Sequence, residues 1–221
     1  SAGAITIPAT GSFTIGSLDI GHGLSGNTAS TAVGTGALDA NATHITTGGV
    51  DNTAIGNNAL GLLNHDHADG NTAVGSGAGD ALVSGYQNTC IGMSSLSAAC
   101  GNDNTAVGNA ALVAFTGSNA TAIGSLAATL LTGASSPNGT GTTAIGKSAL
   151  AAAVNQSYCT AVGHHALTAA TSGLANTAVG AFALDGTLDG TQNTAVGYSA
   201  LGVDAGDDNT GIGYGALNVF T

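Results

Sequence analysis

Along most of the chain, polar and small apolar residues alternate over a few positions, stop at a glycine, and begin again. "NTAIG" at 52–56 and "NTAVG" at 193–197 are two instances. Side chains of an extended strand alternate between faces, so Thr and Val share one face and Asn and Ala the other. The Gly ends the strand by permitting positive φ or close backbone approach. A second short strand is predicted at the following "xAL", and a variable segment rich in Gly, Asp, Asn and Ser then turns the chain back. Helix is a poor alternative, because a Gly at the centre of every copy would cost about 1 kcal/mol each relative to Ala.

Anchored on the Gly that follows Val or Ile, the phrase recurs twelve times. The first copy has Ile15 and Gly16. The others have Val33 and Gly34, Ile55 and Gly56, Val74 and Gly75, Ile91 and Gly92, Val107 and Gly108, Ile123 and Gly124. Ile145 and Gly146, Val162 and Gly163, Val179 and Gly180, Val196 and Gly197, and Ile212 and Gly213 complete the series. Spacings run from 16 to 22 and are most often 17. Thr stands three before the Gly in eleven copies, and Leu four after it in nine. A period this short, with two brief strands, is one coil of a parallel β-solenoid. The expected fold is therefore all-β, about 12 coils stacked at about 4.8 Å into a rod of roughly 55–60 Å. No coil buries its own Val and Leu, so both are assigned to an interior that stacking creates. Residues 1–12 are expected to form an N-terminal strand, cap or assembly segment, and 13–221 the repeat domain.

The phrase "NTAVGxxAL", carried from Phe13 to Leu217, resembles the head repeat of trimeric autotransporter adhesins (YadA-like), an Asn-Ser-Val-Ala-Ile-Gly phrase. It also resembles repeats of bacteriophage tail-fibre proteins. The resemblance implies a left-handed β-roll, a homotrimer around a fibre axis, and a Val or Ile that points into the coil. Thr stands here where the adhesin motif has its first Val. No heptad stalk or membrane-anchor pattern is visible in these residues, which points to a fibre module or filament subunit.

Charge narrows the class. The net charge is −11, all twelve acidic residues are Asp, and Lys147 is the single base. Nucleic acid is thereby disfavoured, since phosphate contacts need Lys and Arg. Only 6% of residues are charged and the mean hydropathy is +0.30, which argues against disorder. No run of about 18 apolar residues exists, so no membrane insertion is expected. The start "SAGAITIP" has neither Met nor a signal-peptide pattern, as expected of a processed chain or a piece of a longer one. Scarce Lys and Arg leave trypsin-like proteases little to cut, which suits an extracellular, cell-surface or virion setting.

Local motifs add little chemistry. "GTTAIGKS" at 141–148 matches the P-loop pattern, but it is a copy of the repeat with no helix expected after it. His65, His67 and Asp69 in "HDHADGN" are weak metal candidates. His164 and His165 follow a motif Gly and are placed at the surface. Asp185, Asp189 and the "DAGDDN" run at 204–209 are weak Ca²⁺ candidates without EF-hand spacing. No other cofactor is expected. Cys90 and Cys159 fill the Ala and Asn slots of the repeat, about four coils apart and beyond disulfide reach, whereas Cys90 with Cys100 stays open. Sequons occur at Asn41, Asn119, Asn138 and Asn155. No catalytic constellation is present, so an enzyme is not expected.

The functional expectation is an extracellular structural fibre or filament, self-associating as a trimer or end to end, with adhesion as its use. The alternative is a receptor- or glycan-binding fibre head, its recognition loops being the long insertions at 39–51 and 129–142. An ice-binding Thr ladder is the remote alternative. It is disfavoured on the expectation that Thr faces inward with Val.

Overall fold

The computed structural model describes residues 13–15, 18–21, 29–39, 49–132, 141–169, 171–186, 189–203 and 206–218. The expected segment at 1–12 and most of the two long insertions lie outside these. Fifteen short strands are present and no helix occurs among the described residues. They are β1 (Phe13–Ile15), β2 (Leu18–Gly21), β3 (Thr31–Val33), β4 (Thr53–Ile55), β5 (Thr72–Val74), β6 (Thr89–Ile91), β7 (Thr105–Val107) and β8 (Thr121–Ile123). Then come β9 (Thr143–Ile145), β10 (Asn155–Ser157), β11 (Thr160–Val162), β12 (Ser172–Leu174), β13 (Thr177–Val179), β14 (Thr194–Val196) and β15 (Thr210–Ile212).

Eleven of them, each a Thr-x-Val/Ile triplet, stack in parallel from β3 to β15, bypassing β10 and β12. The register is strict: Thr105 pairs with Thr121, Ala106 with Ala122, Val107 with Ile123. The protein is thus a parallel β-solenoid with a period near 17 residues. At about 4.8 Å per step, the eleven strands span roughly 48 Å. The strands β10 and β12 form a small second parallel sheet beside the main one.

Three expectations are corrected. The first copy is not a parallel coil: β1 and β2 pair antiparallel, and β2 joins β3 antiparallel. The "xAL" segment is a turn rather than a second strand. Its Leu adopts left-handed φ, 50° at Leu60 and 51° at Leu112, while being fully buried. Left-handed geometry costs about 1–2 kcal/mol for a residue with a Cβ. Burying Leu contributes about 1.5–3 kcal/mol, and its N–H also donates to the next coil, as Leu60 does to the Ala78 carbonyl at 3.0 Å. Burial offsets strain, so a strongly apolar residue sits where a turn residue would be expected.

The third correction reverses the strand. The Val and Ile before the motif Gly, with the Thr, point outward; the Ala or Cys between them points in. Ala54, Ala73, Cys90, Ala106 and Ala122 are completely buried, whereas Ile55 is 40% exposed. The reason is room. Each motif Gly stacks on the next so closely that a Cβ at Gly108 would lie 2.5 Å from the Gly124 carbonyl oxygen. The coils are correspondingly flat, and the space beside the strand admits only a small side chain. Leu and Ala from the turn fill the remaining core.

Asn enters the same interior. Asn52, Asn71, Asn88 and Asn104 form a buried ladder. The Asn88 side-chain oxygen accepts from Asn104 N–H (3.0 Å), and its amide donates to the Gly101 carbonyl (3.0 Å). Buried backbone groups at the coil corner are thereby paired, which is why a polar residue recurs inside.

Candidate interaction face

The outward side of the sheet carries two straight ranks. One is Thr at the start of each of the eleven stacked strands from β3 to β15, β10 and β12 excepted, and the other is Val or Ile two residues on. Parallel pairing in register places like on like, so each rank repeats at the strand spacing, about 4.8 Å. Ile91, Ile123, Ile145, Val179 and Val196 remain between a third and two-fifths exposed, and Ile212 is more open still. No charged side chain belongs to any of these eleven strands. The result is an uncharged, half-apolar face, and contiguous exposed apolar surface is a common property of interaction sites.

At one corner of this face, in the last coils, lies a strip of rings. His165 and Phe182 stack with centroids 5.6 Å apart, and Tyr198 and Tyr214 at 5.4 Å, while Phe182 meets Tyr198 edge-on at 5.8 Å. They occupy the two positions after the motif Gly, where the coils before them hold no aromatic residue. His164 is exposed, as expected, and His165 half-buried. Asp185 lies beside both imidazoles. Burial raises its carboxyl pKa, and His165 and His164 partly counter the rise.

The other singled-out residues disperse. Among the described residues no three His, Cys, Asp or Glu side chains gather as a metal site. His65 and His67 are 5.9 Å apart between ring centroids, and Asp69 instead accepts the Val50 N–H at 2.8 Å. Asp189 accepts hydroxyl bonds from Thr171 (3.0 Å) and Ser172 (2.7 Å). Asp204 lies outside the described residues. Lys147 is exposed on a turn after β9, with Ser148 buried, so "GTTAIGKS" is structurally one more coil. All three cysteines are free and buried. Burial pushes the Cys100 thiol up to about 12 and raises Cys90 and Cys159 as well. Asn119 and Asn155 are exposed; Asn41 and Asn138 lie outside the described residues.

Sequence reasoning did not single out Asp51, Tyr86 and Gln87. With His67, Asp69 and Gly70 they line a surface groove on the turn that precedes β5 and its neighbours. The available signal was positional. Asp51, Gly70 and Gln87 occupy the same place in three successive coils, two residues before the motif Thr.

No helix among the described residues is long and apolar enough to cross a membrane. Comparison with protein-family models, curated proteins and solved structures returned no match.

Proposed function

We propose that this chain is a structural module of an extracellular fibre whose rods associate side by side through the Thr–Val face. Three copies around one axis is the arrangement that the repeat's resemblance implies, and attachment at a cell or virion surface is the use it implies. The observation that carries the reading is the outward apolar rank, continuous over eleven stacked strands. Covering the exposed part of one Ile contributes on the order of 1 kcal/mol. Association itself costs about 4–15 kcal/mol. A single coil cannot meet that cost, whereas a rank of eleven can, so a long repeat rod suits a lateral partner of the same length.

Sedimentation velocity, with electron microscopy of the same sample, tests this. The expected result is a multi-chain rod of constant width. Ile91→Asp, Ile123→Asp and Ile145→Asp together should release single thin rods with an unchanged circular dichroism spectrum. A wild-type chain that stays monomeric at every concentration would overturn the proposal.

One observation favours a second reading, ice binding. Its objection was an inward Thr, and the Thr rank points outward. A flat array of hydroxyls and methyls at a regular spacing suits an ordered water lattice. Monomeric wild-type protein showing thermal hysteresis, abolished by Thr105→Leu with Thr121→Leu, would favour this reading over the fibre. A monomer without hysteresis would sink both.

A further inference from the structure

The groove lined by Asp51, His67, Asp69, Gly70, Tyr86 and Gln87 has a volume of about 460 Å³, within the usual range of about 300–1,000 Å³ for small-ligand sites. We propose that it is a recognition site for a neutral saccharide unit. It lies on the turn before the Thr rank, not on the Thr–Val face, so it goes beyond lateral assembly and does not depend on it.

The groove exists because one side chain is missing from a ladder. Two residues before the motif Thr, successive coils place Asp51, Gly70, Gln87, Asp103 and Asn119, all in left-handed φ between 56° and 67°. The same slot at Gly141 is also a glycine, but there the ring of Tyr158 closes over it: a Cβ would meet Tyr158 Cδ1 at 3.2 Å. At Gly70 a Cβ would meet nothing nearer than Gln87 Cγ at 3.7 Å. The gap stays open between two polar side chains held by their backbone conformation. The backbone that carries the neighbouring ring is anchored too, since Tyr86 N–H donates to the Asn102 side-chain oxygen at 3.1 Å.

The lining selects the ligand class. Asp51 and Asp69 carry carboxylates and the only Lys or Arg in the chain, Lys147, belongs to a distant coil, so phosphate, sulfate and acidic sugars are repelled. A purely cationic ligand would use the carboxylates and leave Gln87 and His67 unengaged. A polyhydroxyl ring engages all of them. It donates to Asp51 and Asp69, accepts from the Gln87 amide and the His67 imidazole, and lays its C–H face on the exposed Tyr86 ring. One carboxylate oxygen of Asp69 is already fixed by Val50 N–H, which orients the other.

The test is saturation-transfer NMR on the full chain, with a panel of neutral gluco-, galacto- and manno-configured oligosaccharides at millimolar concentration. Sialyllactose and a tetra-lysine peptide serve as comparators. The expected result is transfer to ring C–H protons of at least one neutral sugar. That signal should be lost in Tyr86→Ala, and also in Gly70→Asn. Asn119 already holds left-handed φ at this slot, so Asn at 70 fills the groove without disturbing the turn. Circular dichroism and sedimentation of both variants should match wild type, which separates loss of the groove from loss of the fold or of rod association. No transfer from any neutral sugar overturns the proposal. So does stronger transfer to sialyllactose or tetra-lysine, or a signal that survives Gly70→Asn.

Discussion

Asn88 and Cys159 hold the same slot, four coils apart, and their surroundings differ sharply. Around Asn88 the ladder is continuous: it accepts from Asn104, donates to Gly101, and its own N–H and amide both reach the Asn71 oxygen at 3.0 and 3.1 Å. Between Asn104 and Asn176 the slot holds Ala120, Thr142 and Cys159 instead. There the Cys159 thiol donates to Gln156 Oε1 at 3.0 Å, and the buried Gln156 Nε2 has no partner among the described residues. The extra strands β10 and β12 pair beside this stretch. The rod therefore has one region where each coil corner is paired by a standard part and one where it is patched by local substitutes. The stacking of strands is identical in both, so the solenoid is specified by glycine, alanine and leucine, and stiffened locally by asparagine.

The largest expected effect tests the part common to both regions. Gly108→Ala sets a Cβ 2.5 Å from a carbonyl oxygen of the next coil, whereas Gly213→Ala meets nothing within 4 Å at a similar φ, 135° against 123°. Gly108→Ala should cost more than about 4 kcal/mol, or prevent folding, and Gly213→Ala only about 1–3 kcal/mol of backbone strain. Denaturant midpoints of the two variants measure the difference, and equal losses would refute close stacking as the constraint. Next comes the ladder. Asn88→Ala leaves the buried Asn104 N–H without its bond, at about 1–3 kcal/mol, and takes one donor from the half-buried Gly101 carbonyl. Hydrogen exchange should show protection falling in β6 and β7 and holding in β13 and β14.

A third expectation uses pH. The Cys100 thiol titrates near 9 when unfolded and about 12 in the fold, raised chiefly by burial. Below pH 9 both states are protonated and nothing changes. Between pH 9 and about 12 the unfolded chain sheds the proton first, so stability falls as pH rises, and above that the loss levels off. Cys90 adds to the fall in the same direction. Denaturation across this window should show a steep alkaline decline that Cys100→Ala with Cys90→Ala flattens. The smallest effect belongs to the patched region. Gln156→Leu removes an amide nitrogen with no partner but also the oxygen that accepts from the Cys159 thiol, and the two offset, so the change should stay within about 1 kcal/mol, of either sign. A loss comparable to Asn88→Ala would show that the patch is as well bonded as the ladder.

Much of this was legible in the sequence. The period, the glycine break and the shared face of Thr and Val follow from spacing alone, and they specify a parallel solenoid. Direction was not legible. Alternation says which residues share a face, never which face is inside, and the usual preference for Val and Ile in a core fails where Gly-on-Gly stacking leaves space only for Ala54 or Cys90. Asn71 reads as a strand residue on the outer face, beside Ala, until its corner's backbone bonds are traced. Leu60 reads as a strand residue because nothing local announces left-handed φ. Of the groove, His67 and Asp69 stood out as ligand chemistry, while Tyr86 was silent. Its role depends on Gly70 one coil away.

The strict register of Thr on Thr and Gly on Gly has a genetic consequence. When every unit meets its neighbours in the same way, a segment of coding DNA that gains or loses one whole repeat still encodes a well-formed rod, longer or shorter by about 4.8 Å. Length in this molecule is therefore a quantity that recombination can adjust in fixed increments, without any residue having to change.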